Sequence, residues 1–170
     1  MVEKGFEMSK HYPGIFVMNR NDADIFCWEY AEGKHPINVA LISIVCSDDK
    51  ADKVMIDLYK KYNLAKYNDE FNIIKFSFYN FDDIEASIDG LCEFRDEDVI
   101  RMAKFIKKNF NKVDKFIVTC DAGYSRSAGI GAAISKYFYN NDMEYFNSNG
   151  KYCPNMLCYK KLLNELVGEE

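Results

Sequence analysis

Two hydrophobic rhythms take turns along this chain. Short, nearly unbroken apolar runs occur at "GIFVMN" (14–19), "INVALISIV" (37–45), "FNIIKFSFY" (71–79) and "KFIVT" (115–119). Runs of this length, rich in Ile, Val and Phe, predict β-strands, and the second has the pattern of a strand covered on both faces. Between them the apolar positions space out to a helical period. "NDADIFCWEYAE" (21–32) predicts a helix capped by Asn21 or Asp22, and "DDKADKVMIDLYKKYNL" (48–64) predicts another. "RDEDVIRMAKFIKKNF" (95–110) sets Val99, Met102, Ala103, Ile106 and Phe110 on one stripe, with lysines opposite. "SRSAGIGAAISKYFYN" (125–140) predicts a further helix. A last one follows "YCPN", with Pro154 near its first turn and Met156, Leu162, Leu163 and Leu166 facing inward. Strands alternating with helices predict an α/β fold with a central, mostly parallel sheet flanked by helices. No repeat or low-complexity linker divides the chain, so residues 1–170 read as one domain.

Composition removes several function classes. With 48% hydrophobic and 29% charged residues, the chain has the balance of a folded globular protein. A formal net charge of −5 argues against a nucleic-acid partner, which calls for a basic face. No window approaches the ~20 apolar residues of a membrane span, and "MVEKGFEMSKHYPG" lacks the apolar run of a signal peptide. The six cysteines (27, 46, 92, 120, 153 and 158) include no C-x-x-C pair and no histidine spacing for zinc. Scattered thiols of this kind fit a reducing compartment, and a cytoplasmic protein with no nucleic-acid or membrane partner is expected.

The chemistry concentrates in "KFIVTCDAGYSRSAGIG" (115–131). Cys120 closes a strand and Arg126 opens a helix, so the loop between them lies at the carboxyl end of the sheet, where α/β folds bind ligands. Gly123 permits a tight turn. Successive backbone N–H groups and a helix N-terminus favour a tetrahedral oxyanion there, and Arg126 can donate two parallel hydrogen bonds to it. The same surroundings favour the thiolate of Cys120, a nucleophile held in line with a bound phosphorus.

"TCDAGYSRS" resembles the signature loop of the cysteine-dependent protein tyrosine phosphatases, most closely their small dual-specificity-like, bacterial-type branch. Cys120, Gly123, Arg126 and Ser127 match that family's His-Cys-x-x-Gly-x-x-Arg-Ser/Thr pattern position for position. The resemblance implies Cys120 as nucleophile, Arg126 as phosphate binder and Ser127 as the hydroxyl that stabilises the leaving thiolate. It further implies a phosphate site lined by Asp121, Ala122, Gly123, Tyr124, Ser125 and Arg126, and no metal or other cofactor. One departure stands out: Thr119 occupies the place of the family's histidine. A hydroxyl replaces some of that hydrogen bonding and none of the charge.

Cleaving a phosphate ester also needs a proton for the leaving oxygen. The family carries that aspartate on the loop after the preceding strand, here "NFDDIEASIDG" (80–90). Asp83 is the first candidate, Asp82 the second and Asp89 the third, and the Asp82–Asp83 doublet favours a retained proton. Three rival readings remain on the sequence. A Cys–His hydrolase would use His11 or His35 as base but leaves Arg126 unexplained. A rhodanese-type sulfur transferase also uses a cysteine in an anion-binding loop. A phosphoprotein-binding module without turnover would keep the loop, and Thr119 leans that way. The expected function is a phosphate-monoester hydrolase acting on a phosphorylated protein or small phosphate ester. Cys27, Cys46, Cys92, Cys153 and Cys158 read as structural.

Overall fold

The computed structural model describes residues 12–48, 57, 60–62, 64 and 74–168. The apolar runs become strands β1 (Gly14–Asn19), β2 (Val39–Val45), β3 (Ile74–Asn80) and β4 (Lys115–Cys120). They pair in the order β1-β4-β2-β3, and every described pair is parallel. Parallel neighbours cannot be joined by tight turns and need crossovers. The helices are α1 (Arg20–Ala31), α2 (Asp96–Asn109, prolonged by a 3-10 turn Phe110–Lys112), α3 (Arg126–Tyr139), the single turn α4 (Met143–Phe146) and α5 (Met156–Gly168). Most of the helix expected at 48–64 lies outside the described residues, although Asp57 and Lys60–Tyr62 are helical.

The sheet separates two layers. β2 is buried at every position, as its unbroken apolar run requires. On one face Ala40, Ile42, Ile44, Phe116, Val118 and Cys120 pack with residues of α2, α3 and α5. On the other, Val39, Leu41 and Ile117 meet Cys27 and Tyr30 of α1. The predicted α2 stripe of Val99, Met102, Ala103, Ile106 and Phe110 is buried throughout. Each such large apolar side chain contributes about 1.5–3 kcal/mol on burial, so the stripe anchors this helix without help from its exposed lysines. Asp96, Glu97 and Asp98 in its first turn and Lys107 and Lys108 in its last complement the helix dipole.

Three local features differ from the sequence pattern. α1 is capped by Asn19, whose side-chain oxygen accepts from the Asp22 backbone N–H at 2.8 Å, rather than by Asn21 or Asp22. The strand runs straight into the helix, so the last extended residue becomes the cap. In α5 the inward stripe is Cys158, Leu162 and Leu166, while Met156 and Leu163 are only half-buried. Pro154 precedes the cap of this helix instead of entering its first turn: Asn155 takes the cap position, accepting from Cys158 N–H at 2.9 Å. A Cβ added to Gly129 would lie 2.5 Å from the Asn155 carbonyl oxygen, so α3 and α5 approach closely because that position is bare.

Candidate active site

Cys120 is the last residue of β4 and Arg126 the first of α3, and both are buried. Gly123, between them, has φ +65°, and an added Cβ would sit 2.4 Å from Asn19 N and 2.5 Å from Met18 C. Both the left-handed backbone and the approach to the β1–α1 junction therefore demand glycine. Arg20 N–H from that junction donates to Asp121 C=O at 3.3 Å. The backbone N–H groups of Ala122–Ser125 make no hydrogen bond to the backbone of any described residue. The Cys120 Sγ lies 3.0 Å from Ser127 Oγ, the second residue of α3.

Arg126 is held from two sides. Its Nη1 donates to Phe81 C=O at 2.8 Å and its Nη2 to Asp121 Oδ2 at 2.8 Å. Its Nε, also buried, has no hydrogen-bond partner. A charged donor left unpaired in a dry setting is costly, and such groups mark functional positions. Burial works against the guanidinium charge, but the Asp121 hydrogen bond and the negative groups nearby outweigh it and raise the pKa. Asp121 shows the complementary balance. Burial opposes its ionisation, yet bonds from Cys46 and Arg126 and the charges of Arg20 and Arg126 hold its carboxyl below the usual range. Arg20 completes the chain of charges through an ion pair with Asp121 Oδ1.

The acid-loop candidates separate clearly. Asp82 accepts from Ser47 Oγ at 2.6 Å, Ser47 N–H at 3.1 Å and Cys92 N–H at 2.8 Å. Ser47 and then Cys92 are the main causes that hold its pKa below the ordinary carboxylate value. Its carboxylate fastens both ends of the loop. Asp83 instead reaches the Cys120–Arg126 loop, accepting from Ser125 Oγ at 2.8 Å, and also accepts from Asn155 Nδ2 at 2.9 Å. Asp89 is exposed further along the loop.

Asn155 was invisible to the site reading of the sequence. It is buried, caps α5, donates to Asp83 and to Ile84 C=O at 3.1 Å, and its N–H reaches Ser125 C=O at 3.1 Å. An Asn after Pro at a helix start was the available signal, since that is a cap pattern. Nearby, Glu85 Oε1 accepts from Met156 N–H at 2.7 Å, a second tie between the acid loop and α5.

Cys46 also departs from the purely structural reading. Its Sγ is 3.1 Å from Asp121 Oδ2 and 3.7 Å from both Nη atoms of Arg126. Burial, then the bond to Asp121, raises its pKa. His35 lies away from this end of the sheet, paired with Glu29 at 2.9 Å and stacked on Phe26, and His11 is outside the described residues. Thr119 is buried on the α1 face, where its hydroxyl donates to Cys120 C=O at 3.4 Å. It borders a cavity of about 330 Å³ that also touches Ser43, Leu41, Cys27 and Arg20. Among the described residues no cluster of His, Cys, Asp and Glu could hold a metal, and no helix is long and apolar enough to cross a membrane.

No protein-family model matches the chain, and no curated protein matches it in sequence. Its fold does match solved structures. The crystal structure of Tk-PTP in the active form aligns over 94% of this chain and 93% of its own, at 14% identity and a TM-score of 0.53. That of PTPMT1 in complex with PI(5)P aligns over 91% of each chain, at 12% identity and a TM-score of 0.52. Both are cysteine-dependent phosphatases, and the α/β fold with its parallel sheet is the fold they share with this chain.

Proposed function

We propose that this protein is a phosphate-monoester hydrolase of the protein tyrosine and dual-specificity type, working through a phosphocysteine. The observation that carries the reading is the buried, unpartnered Nε of Arg126 beside a loop that begins at the Cys120 sulfur. Phe81 C=O and Asp121 occupy the outer nitrogens, which leaves the Nε–H edge for an oxyanion. Phosphate oxygens would accept from that edge and from the loop N–H groups, which stabilise charge as it spreads over them in the transition state.

In the first step the Cys120 sulfur attacks phosphorus and the ester P–O bond breaks. The leaving oxygen takes a proton from Asp83, the carboxylic acid that reaches the loop through Ser125. Asp82 is the weaker choice because its three hydrogen bonds favour the ionised form. In the second step water attacks phosphorus, Asp83 takes its proton, and the S–P bond breaks with the electron pair returning to sulfur. Ser127, 3.0 Å away, can donate to that sulfur as it leaves. Tyr124, exposed at the loop, can pack beside an aromatic ester. We read residues 1–170 as one catalytic domain and the compartment as cytoplasmic.

A binding module without turnover is the second reading, favoured by the thin anchoring of Thr119. Turnover of an aryl phosphate in EDTA separates the two. The wild type is expected to hydrolyse it, with competitive inhibition by vanadate, and Cys120→Ser is expected to lose all turnover while keeping its near-UV circular dichroism. An active Ser variant would remove the covalent mechanism. An inactive wild type that binds phosphopeptides would establish the module.

A further inference from the structure

The segments at this end of the sheet carry a lopsided set of charges. Residues 19–20, 46–47, 80–92, 120–126 and 153–156 contain five carboxylates (Asp82, Asp83, Glu85, Asp89 and Asp121) and two guanidiniums, Arg20 and Arg126. Both guanidiniums are paired with the same carboxylate, Asp121. Asp83, Glu85 and Asp89 are exposed, whereas the Arg126 side chain is only 6% exposed. The Arg126 charge is thus sunk at the floor and the half-exposed Arg20 is tied to Asp121, while three carboxylates face the solvent. Of the described cations close to these segments in sequence, Arg95 turns to Cys92, Lys151 lies over the Tyr152 ring at 4.8 Å, and Lys161 bonds Phe94 C=O and Asp96.

A single phosphate entering this site meets the Arg126 Nε–H and the loop amides. A second anionic group on the same substrate would meet Asp83, Glu85 or Asp89, while Arg20, the other cation of these segments, is already paired with Asp121. Asp121 strengthens the bias from inside, because a carboxylate 2.8 Å from Arg126 Nη2 offsets the one buried charge that could tolerate a polyanion. A phosphate whose neighbours are cationic would be steered in by the same rim.

We propose that the acidic rim and Asp121 select phosphopeptides with basic residues flanking the phosphorylated side chain, and reject polyanionic esters. This substrate class rests on the phosphatase reading of the site. Asp121 acts here in two ways: it orients Arg126, and it sets how much negative charge the pocket accepts.

The experiment compares two phosphotyrosine peptides, identical except for Lys/Arg or Asp/Glu flanks, together with a soluble short-chain phosphoinositide. At low ionic strength kcat/KM for the basic peptide should exceed that for the acidic one by about tenfold, and the gap should shrink toward threefold or so at high salt as the charges are screened. Asp121→Asn and Asp89→Asn should each narrow the ratio, whatever they do to the absolute rate. A ratio of one or less, a ratio indifferent to salt, or a phosphoinositide turned over faster than both peptides would overturn the proposal. If the wild type turns over none of them, the same peptides are titrated calorimetrically into Cys120→Ser. A preserved basic preference then keeps the rim assignment while the phosphatase reading falls, and equal affinities sink the rim assignment itself.

Discussion

Thr119 and Cys120 are neighbours at the end of one strand, yet they live in different surroundings. Successive strand residues point to opposite faces. Cys120 faces the layer of α2, α3 and α5, where Ser127 is 3.0 Å from its sulfur and Gly129 lets the α5 cap press against α3. Thr119 faces α1, beside a cavity of about 330 Å³, with a single long hydrogen bond to the next carbonyl. On the α1 side, the loop is anchored instead by Arg20, through its backbone N–H and its ion pair to Asp121. The comparison teaches that the Cys120 sulfur is packed by one layer of the fold, while the loop that follows it is tied down by the start of α1 in the other.

That contrast can be pressed hardest at Arg126, on the crowded side. Lysine keeps the charge but lacks the planar fork and the Nε–H. Loss of one preorganised donor costs about 2.7–4 kcal/mol in the transition state, so Arg126→Lys should drop kcat by about two to three orders of magnitude in an aryl phosphate assay. A variant within threefold of wild type would mean that charge alone matters there.

The acid loop gives the next largest effect and a division of labour. Asp83→Asn should lower kcat by roughly 10²-fold on an ester with a poor leaving group, and less with a good one, because only the poor one needs the proton. Asp82→Asn should spare more activity and cost stability instead. The sign follows from its lowered pKa: Asp82 stabilises the fold above the unfolded-state carboxylate pKa, and that contribution disappears as pH falls through the lower folded-state value. Urea melts should therefore show a gap between wild type and Asp82→Asn at pH 7 that closes in acid. Equal melts at pH 7 would show that its three hydrogen bonds do not hold the loop.

The two smallest effects test packing on each face. Gly129→Ala puts a Cβ 2.5 Å from the Asn155 carbonyl oxygen, and overpacking of this kind costs about 1–3 kcal/mol. Its thermal midpoint should fall, and activity with it, because Asn155 also holds Asp83. Thr119→Val removes one 3.4 Å hydrogen bond beside an existing cavity. Its stability should stay within about 1 kcal/mol of wild type and kcat within about threefold. A larger loss would show that the hydroxyl, rather than Arg20, braces the loop.

Much of this fold is legible in the sequence. β1 matched its apolar run residue for residue, β4 ended one residue later than expected, and the α2 stripe is buried at all five positions. The parallel sheet followed from strands alternating with helices. Boundaries moved where a capping residue belonged to the preceding strand, as with Asn19, because cap choice depends on where the strand stops. The turn α4 has too few residues to show a period, so it left no trace in the pattern.

The sequence by itself determined the loop from Cys120 to Ser127, because its chemistry is contiguous. A strand end, a glycine, an arginine and a helix start lie within eight residues, and local backbone geometry brings their groups together. What only the tertiary structure decided involves partners far apart along the chain: Asp83 with Ser125 and Asn155, Cys46 with Asp121, and Phe81 with Arg126. Loop paths and helix packing set those distances, and no spacing rule connects segments separated by 40 to 80 residues. The two adjacent aspartates make the point most sharply. Neighbours in sequence with the same side chain, one fastens its own loop and the other reaches the loop between Cys120 and Arg126, because a turn of the backbone sends their carboxylates to different partners.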